Sequence, residues 1–539
     1  MRLLLSIIII SLFSSCSTLI MNQGFKEYKS DIKKSREFKN ANSYQKDLLF
    51  LNDLCVNSFP KIESVFPEKL RNGIVDSLYN LLSSSSVDEN LFNGYLRYYL
   101  SHYENQHTRI GGLESHSIFP YSLHSYMNDW YLKNINSNYD SLLIGKKVTK
   151  LNDKPTDETE ERLFKYVFAE NLISKRNSIT ELIRRPNLLK QFGIINQTDS
   201  IQITFENGEN IWVKSSNKEK DINLHYEKFS QNPVTKYSDK NYGMAFYPEE
   251  NFAYFQFNRC FDLIDARETM SEYVRPWVVP FAKLYLNNLV KKKRNPKNSI
   301  GFKLDFDRPI FKDYLEQTVD SLNALDLNNL IIDLRNNGGG SYLMCLQLLY
   351  HLTERENIKN FSESFYLSEA NRQLNEKEYE KFVESYQLKY NKAPEKGKLY
   401  PNGLFNCDSL IFEEIENEES AYYIPQDRSV FKGKIIILAN SHTGSAAALF
   451  TALLQDNNIA TIIGTSIGNN PIGATNYQPF KLPESELTGS VATGFLTRPK
   501  PENGQILKPD YWIENSVNDI INGNDRYFNK ALELITEGK

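Results

Sequence analysis

The chain has 539 residues, too many for one hydrophobic core, so several domains are expected. Its 63 Lys and Arg against 67 Asp and Glu leave a formal net charge of -4, which excludes the strong positive field of a nucleic-acid binder. Tyr and Phe, at 32 each, supply rings for thick cores and are compatible with many functions.

Arg2, an apolar run from Leu3 to Phe13 and then Ser14-Ser15-Cys16 predict a secretory signal. The basic start, the short apolar core and the small residues before a cleavage point are its marks, and the run is too short for an ordinary membrane span. A Cys directly after two small residues resembles a bacterial lipobox, although that pattern prefers Leu where Phe13 stands. The resemblance implies a lipoprotein signal peptide over 1–15 and a lipid on Cys16. It also implies a place in a bacterial cell envelope, anchored to the outer membrane on its periplasmic or surface side. Plain secretion and an uncleaved anchor stay open. The stretch from about Met21 to Asn40 is polar and lysine-rich, and residues 16–42 are expected to be a tether.

Residues 43–110 read as a helical domain, with apolar positions at helical spacing in Leu48-Leu49-Leu51-Leu54 and Phe92-Tyr95-Leu96-Tyr99-Leu100. Residues 111–220 contain strand-like runs such as Ile201-Gln202-Ile203-Thr204-Phe205, followed by the turn Glu206-Asn207-Gly208. Within them, the stretch from Leu143 to Pro155 resembles the heart of a PDZ domain, which captures peptide ends on an open sheet edge. The rival reading is a small β-rich spacer. From 221 to 539, short apolar runs at Asn251 to Phe257, Asn329 to Leu334 and Lys434 to Ala439 predict the buried strands of an α/β domain. A charged, tyrosine-rich insertion at about 353–429, helical over Glu376 to Tyr390, is expected to form a lid or wall. Cys55, Cys260, Cys345 and Cys407 have the spacing of neither a disulfide scaffold nor a zinc site, and most are expected to be buried free thiols.

Two segments carry chemistry. Asp333-Leu334-Arg335-Asn336-Asn337-Gly338-Gly339-Gly340-Ser341 follows a buried strand, and its glycines allow N–H groups to converge on one point, as an oxyanion hole requires. It lacks the Gly-Lys-Ser/Thr ending of a P-loop and the spacing of a dinucleotide fingerprint. In Asn440-Ser441-His442-Thr443-Gly444-Ser445-Ala446-Ala447-Ala448, a strand gives way to small residues and a helix, so Ser445 stands where a nucleophile would face the helix dipole. Taken alone, a serine at that position is more often an N-cap.

These two segments, with Thr443 to Asp456 and the closing Ile506 to Trp512 and Asn522-Gly523-Asn524-Asp525, resemble the peptidase family that contains the C-terminal-processing proteases and the tricorn core. The resemblance implies a multidomain α/β protein: an N-terminal helical domain, a PDZ-like β-rich domain and an α/β catalytic domain of the ClpP/crotonase-like type. It implies a serine peptidase that cleaves a peptide or protein substrate through an acyl-enzyme, with Ser445 as nucleophile and no metal or organic cofactor. The amides of Gly339 and Ala446, with Gly338 beside them, are the implied oxyanion hole. A serine needs a base. The C-terminal-processing branch uses a Lys downstream, but that neighbourhood here reads Gly468-Asn469-Asn470-Pro471. The tricorn-like branch takes a His from a distant N-terminal segment, which implies His107 in Tyr103-Glu104-Asn105-Gln106-His107-Thr108-Arg109; His442 is the competing choice. Glu502 is the implied third member, with an exposed loop carboxylate as the alternative. The chain departs from the family at Ala448, where a Glu is common, and at Asn105-Gln106, where Asp-Gly is usual. These departures keep open an inactive, peptide-binding relative, and a non-peptidase acyl hydrolase is a third reading.

Overall fold

A computed structural model describes residues 28–112, 117–217, 239–273, 277–293, 304–335, 337–355, 357–374, 376–401 and 411–537. The signal segment, Cys16 and Cys407 lie outside the described residues. Cys55, Cys260 and Cys345 are buried free thiols.

The N-terminal unit is helical, with helices Ser43–Ser58, Glu68–Leu81 and Glu89–Ser101. The first opens on a capping box: Gln45 N–H donates to Asn42 Oδ1 and Asn42 N–H to Gln45 Oε1, satisfying donors that the helix leaves unpaired. Leu48, Leu51, Leu54, Phe92, Leu96 and Leu100 are all buried in one cluster, as their spacing predicts. The expected tether differs over its described part. Residues 28–42 form the turn Asp31–Lys34 and the helix Arg36–Asn40, and bury Tyr28, Phe38 and Ala41 against this unit. Two rings spaced ten positions apart make no periodic pattern, yet they bury enough apolar area to dock the segment.

The second unit is an antiparallel sheet with neighbours in the order Tyr121–Tyr126, Asp129–Ile135, Lys147–Leu151, Ser200–Phe205 and Asn210–Lys214. Every second residue of Ser200–Phe205 is buried, so one face of the sheet meets the helices Thr156–Phe164 and Leu172–Leu182.

The third unit is built on six strands: Tyr242–Tyr247 (β1), Phe252–Phe257 (β2), Asn329–Asp333 (β3), Lys434–Ala439 (β4), Thr461–Gly464 (β5) and Tyr511–Trp512 (β6). They lie side by side in chain order; β1 is antiparallel to β2 and the remaining pairs are parallel. Both faces are covered, which explains why β2 to β4 read as continuous apolar runs. On one face Phe255, Ile332 and Ile437 pack with helices Tyr342–Leu352 (α1) and Ser445–Asp456 (α2). On the other, Tyr254, Ile331, Ile436 and Ile463 meet Phe528, Ala531 and Ile535 of helix Arg526–Glu537 (α3). The insertion adds strand Ser362–Leu367 to Gly494–Thr497, and its helix Glu369–Leu374 packs on the N-terminal helices. It therefore ties two units together.

Candidate active site

The nucleophile candidate sits where β4 runs into α2. After Ala439 the chain turns through Asn440 to Gly444, held by Thr443 Oγ1 donating to Leu334 O at 2.9 Å and by Gly444 N–H donating to Asn337 O at 2.9 Å. Ser445 follows with φ +47°, a left-handed conformation uncommon for a non-glycine residue. Its side chain is exposed at the first position of α2, and among the described residues its hydroxyl has no hydrogen-bond partner. The Ser445 N–H donates to Asn469 Oδ1 at 2.7 Å. Asn469 thus stands in the neighbourhood where a Lys is missing, and braces the backbone of Ser445.

The glycine turn after β3 lies against this corner. A Cβ on Gly339, whose φ is +100°, would come within 2.5 Å of Ser445 Cβ and 2.9 Å of Ala446 N, so only glycine allows the approach. The expectation that Gly339 N–H is an oxyanion donor needs correction. That amide donates to Asn337 Oδ1 at 2.9 Å and is occupied. Gly338 is exposed to the site cavity instead, and among the described residues neither its N–H nor that of Ala446 has an acceptor. For Ala446 the reason is its place in the first turn of α2, before the intrahelical ladder begins with Ala448 N–H donating to Gly444 O. Asn337, fully buried, is the keystone: its side chain also donates to Phe257 O at 2.9 Å, locking the turn to β2.

His107 comes from the other end of the chain. The turn after helix Glu89–Ser101 leads into a short strand, Arg109–Ile110, that pairs antiparallel with Thr488–Val491 of the third unit. Ser490 Oγ donates to His107 O at 2.7 Å and Ala492 N–H to Thr108 Oγ1 at 3.0 Å. This brings His107, Gly338 and Ser445 to the wall of one cavity of about 530 Å³. No hydrogen bond joins His107 to Ser445 in this structure. The His107 ring lies parallel to Tyr477, with centroids 6.1 Å apart, and its Nδ1 is buried without a partner. Burial, helped by the nearby Arg109 charge, lowers its pKa from 6.5 to about 4, so the ring is neutral at any pH above about 5.

The remaining candidates separate. His442 is exposed on the cavity rim, its Nδ1 3.0 Å from Asn177 Nδ2 of the second unit. Glu502 is not brought to the site. It is exposed in the turn Pro501–Asn503, next to Asn503, whose Nδ2 donates to Asp456 at the far end of α2. The 12 residues of α2 put that end roughly 16 Å from Ser445. No described residue of the insertion lines the cavity.

Asn105 and Gln106, the departures beside His107, bind the site together. Asn105 Nδ2 donates to Ala474 O at 2.7 Å and to Glu170 Oε1 at 3.3 Å, while Gln106 Nε2 donates to Gly468 O at 2.8 Å. Sequence reasoning assigns no role to Glu170, Asn337 or Asn469. Asn337 lies inside the glycine segment, but the partners of all three are known only once the loops assemble.

Residues 305–511 match the family model described as peptidase family S41. No curated protein sequence matches the chain. Among solved structures, mature CPAF complexed with lactacystin is similar with a TM-score of 0.62 at 15% identity, over 93% of this chain and 99% of that one. A crystal structure of mature CPAF matches with a TM-score of 0.55 at 14% identity, over 93% and 98%. At these identities the likeness is one of fold.

Proposed function

We propose that the chain, whose residues 305–511 match the peptidase family S41 model, is a serine-type peptidase whose nucleophile is Ser445 and whose general base is His107. The observation that carries this reading is Ser445 itself: an exposed serine with a left-handed backbone at the head of a helix, across one cavity from a neutral, half-buried imidazole. Ser445 Oγ attacks the substrate carbonyl carbon as its proton passes to His107. The oxyanion is received by the N–H groups of Gly338 and Ala446. His107 then returns the proton to the leaving nitrogen as the C–N bond breaks, leaving the acyl group on Ser445. Water attacks the ester, gives its proton to His107, and Ser445 leaves with that proton restored. A ring with a pKa near 4 is a poor proton acceptor in an empty cavity, but the oxyanion forming beside it supplies the opposite charge that favours imidazolium.

A fluorophosphonate probe tests the assignment. Wild type labels, Ser445→Ala does not, and His107→Ala labels about 10²–10⁴-fold more slowly. A folded wild type that fails to label is instead a peptide-binding relative without turnover, and ester turnover without peptide cleavage marks a different acyl hydrolase.

The second unit is read as PDZ-like, receiving a peptide substrate on its sheet. Export and lipid attachment at Cys16, with anchoring in a bacterial envelope, belong to the same proposal and rest on the N-terminal sequence. Incorporation of labelled palmitate that disappears in Cys16→Ala supports the anchor; a wild type that takes up none is secreted without one.

A further inference from the structure

Glu170 lies in the second unit, directly before Asn171, the N-cap of helix Leu172–Leu182. Its carboxylate joins the two loops that carry the chemistry. Oε1 accepts from Asn105 Nδ2 at 3.3 Å, two residues before His107, and from Asn469 Nδ2 at 3.3 Å, whose own Oδ1 holds the Ser445 N–H. Oε2 accepts from Asn470 N–H at 2.6 Å. Its neighbours grip the same nucleophile-side loop. Asn171 Nδ2 donates to Asn470 Oδ1 at 3.1 Å, and Ser174 Oγ donates to Gly468 O. A carboxylate surrounded by donors from two loops and no cation is an arrangement that surface exposure alone does not produce.

We propose that Glu170 is a positioning residue of the catalytic site, whose carboxylate couples the His107 turn to the Ser445 corner through Asn105 and Asn469 and so sets their separation. This rests on the assignment of Ser445 and His107 above. Through Glu170 the second unit holds the catalytic pair in register. Only an ionised Glu170 accepts from every donor around it; a protonated oxygen faces amide hydrogens with a hydrogen of its own.

Burial raises the Glu170 pKa from 4.5 to about 7, opposed by the amides of Asn470 and Gln106 and by Asn469. The titratable groups on the elements packed around it are Tyr103, Glu104, His107 and Arg109 on the base turn and Lys175 and Arg176 in the first turns of the helix. Lys175 pairs with Glu104 at 2.8 Å and Arg176 with Glu160 at 2.5 Å. The loop 466–471 carries none. The coupling therefore builds up as pH rises through about 7 and is released as pH falls through it.

The test is the rate of fluorophosphonate labelling against pH, which needs no known substrate. Wild type loses rate with an apparent pKa near 7, distinct from the limb near 4 belonging to His107. Glu170→Gln removes the step near 7 and lowers the plateau by about tenfold to a hundredfold, as expected of a displaced catalytic group. Glu170→Asp, with its carboxylate kept, restores the step. A wild-type profile with no ionisation between pH 5.5 and 8.5, or a Glu170→Gln variant that keeps both the step and the wild-type plateau, overturns the proposal. Undiminished labelling of Ser445→Ala sinks the underlying assignment instead, so the two failures are distinguishable.

Discussion

At the scale of single residues, two acidities at the candidate site are displaced, those of His107 and Glu170. His107 is depressed chiefly by burial and secondly by Arg109, which is exposed on the same cavity wall. Removing that positive charge favours the protonated ring, so Arg109→Gln raises the His107 pKa by several tenths to about one unit. Burial keeps it below 6.5. Ring-proton NMR titration measures the shift, and an unchanged or lower value contradicts this account. Ser445, His107 and Gly338, all legible in the sequence, line one cavity, with Ala446 buried next to Ser445. Gly339 and Glu502 were named with them and do other things. Gly339 gives its N–H to Asn337 and its lack of a side chain to Ser445, a distinction that depends on which way one amide points. Motif spacing carries no such information.

At the scale of elements, α2 is anchored at its far end and carries Ser445 at its near one. Asp456, fully buried, accepts from Arg498 Nε at 2.9 Å and Nη2 at 2.7 Å, and further from Lys500 N–H and Asn503 Nδ2. The Arg498 side chain is itself fully buried, so removing its partner leaves an unpaired charge in the core. Asp456→Ala is expected to destabilise the fold by about 3–5 kcal/mol, read as a lower midpoint in urea unfolding. This accounts for an Asp at the end of the second family-like segment, far from any chemistry. A corresponding network fixes the first segment. Arg335 pairs with Asp333 at 2.6 Å and with Asp525, just before α3, at 2.7 Å, so the closing segment is held to the glycine turn by charge. The strands and helices around both segments were legible because each is a local pattern: apolar runs in β2 to β4, small residues at the start of α2, and helical spacing in the N-terminal unit. Residues 28–42 were misread as a tether because isolated rings in a polar run reveal their docking only once a groove exists to receive them.

At the scale of the whole molecule, function and stability pull in opposite directions at Glu170. Its pKa is higher in the fold than the 4.5 of an unfolded chain, so the folded state binds the proton more tightly. The stability this contributes is complete below pH 4.5 and is lost as pH rises through about 7. Glu170→Gln mimics the protonated form. It is expected to match wild type in thermal stability near pH 5 and to exceed it at pH 8 by about 1–3 kcal/mol, while losing labelling rate. A residue with a merely structural role would lower the melting temperature at pH 8. His107 and His124 contribute with the opposite sign. Both are lowered to about 4, chiefly by burial, so the stability they contribute is present above 6.5 and lost as pH falls through 4. Calorimetry across pH 4 to 9, on wild type and on Glu170→Gln, separates the two contributions.

The amino-acid sequence by itself determined the order of units, the buried strands, the glycine turn and the serine at the head of α2, because apolar period, turn chemistry and helix starts are encoded within a few neighbouring residues. Family resemblance extended that to His107. Tertiary structure alone decided which amides are open to an oxyanion, that Glu502 stands apart, and that Glu170 reaches Asn470, 300 positions away. Those outcomes depend on hydrogen bonds between loops that become neighbours only after three units have packed. The strength of each depends in turn on the burial that packing creates.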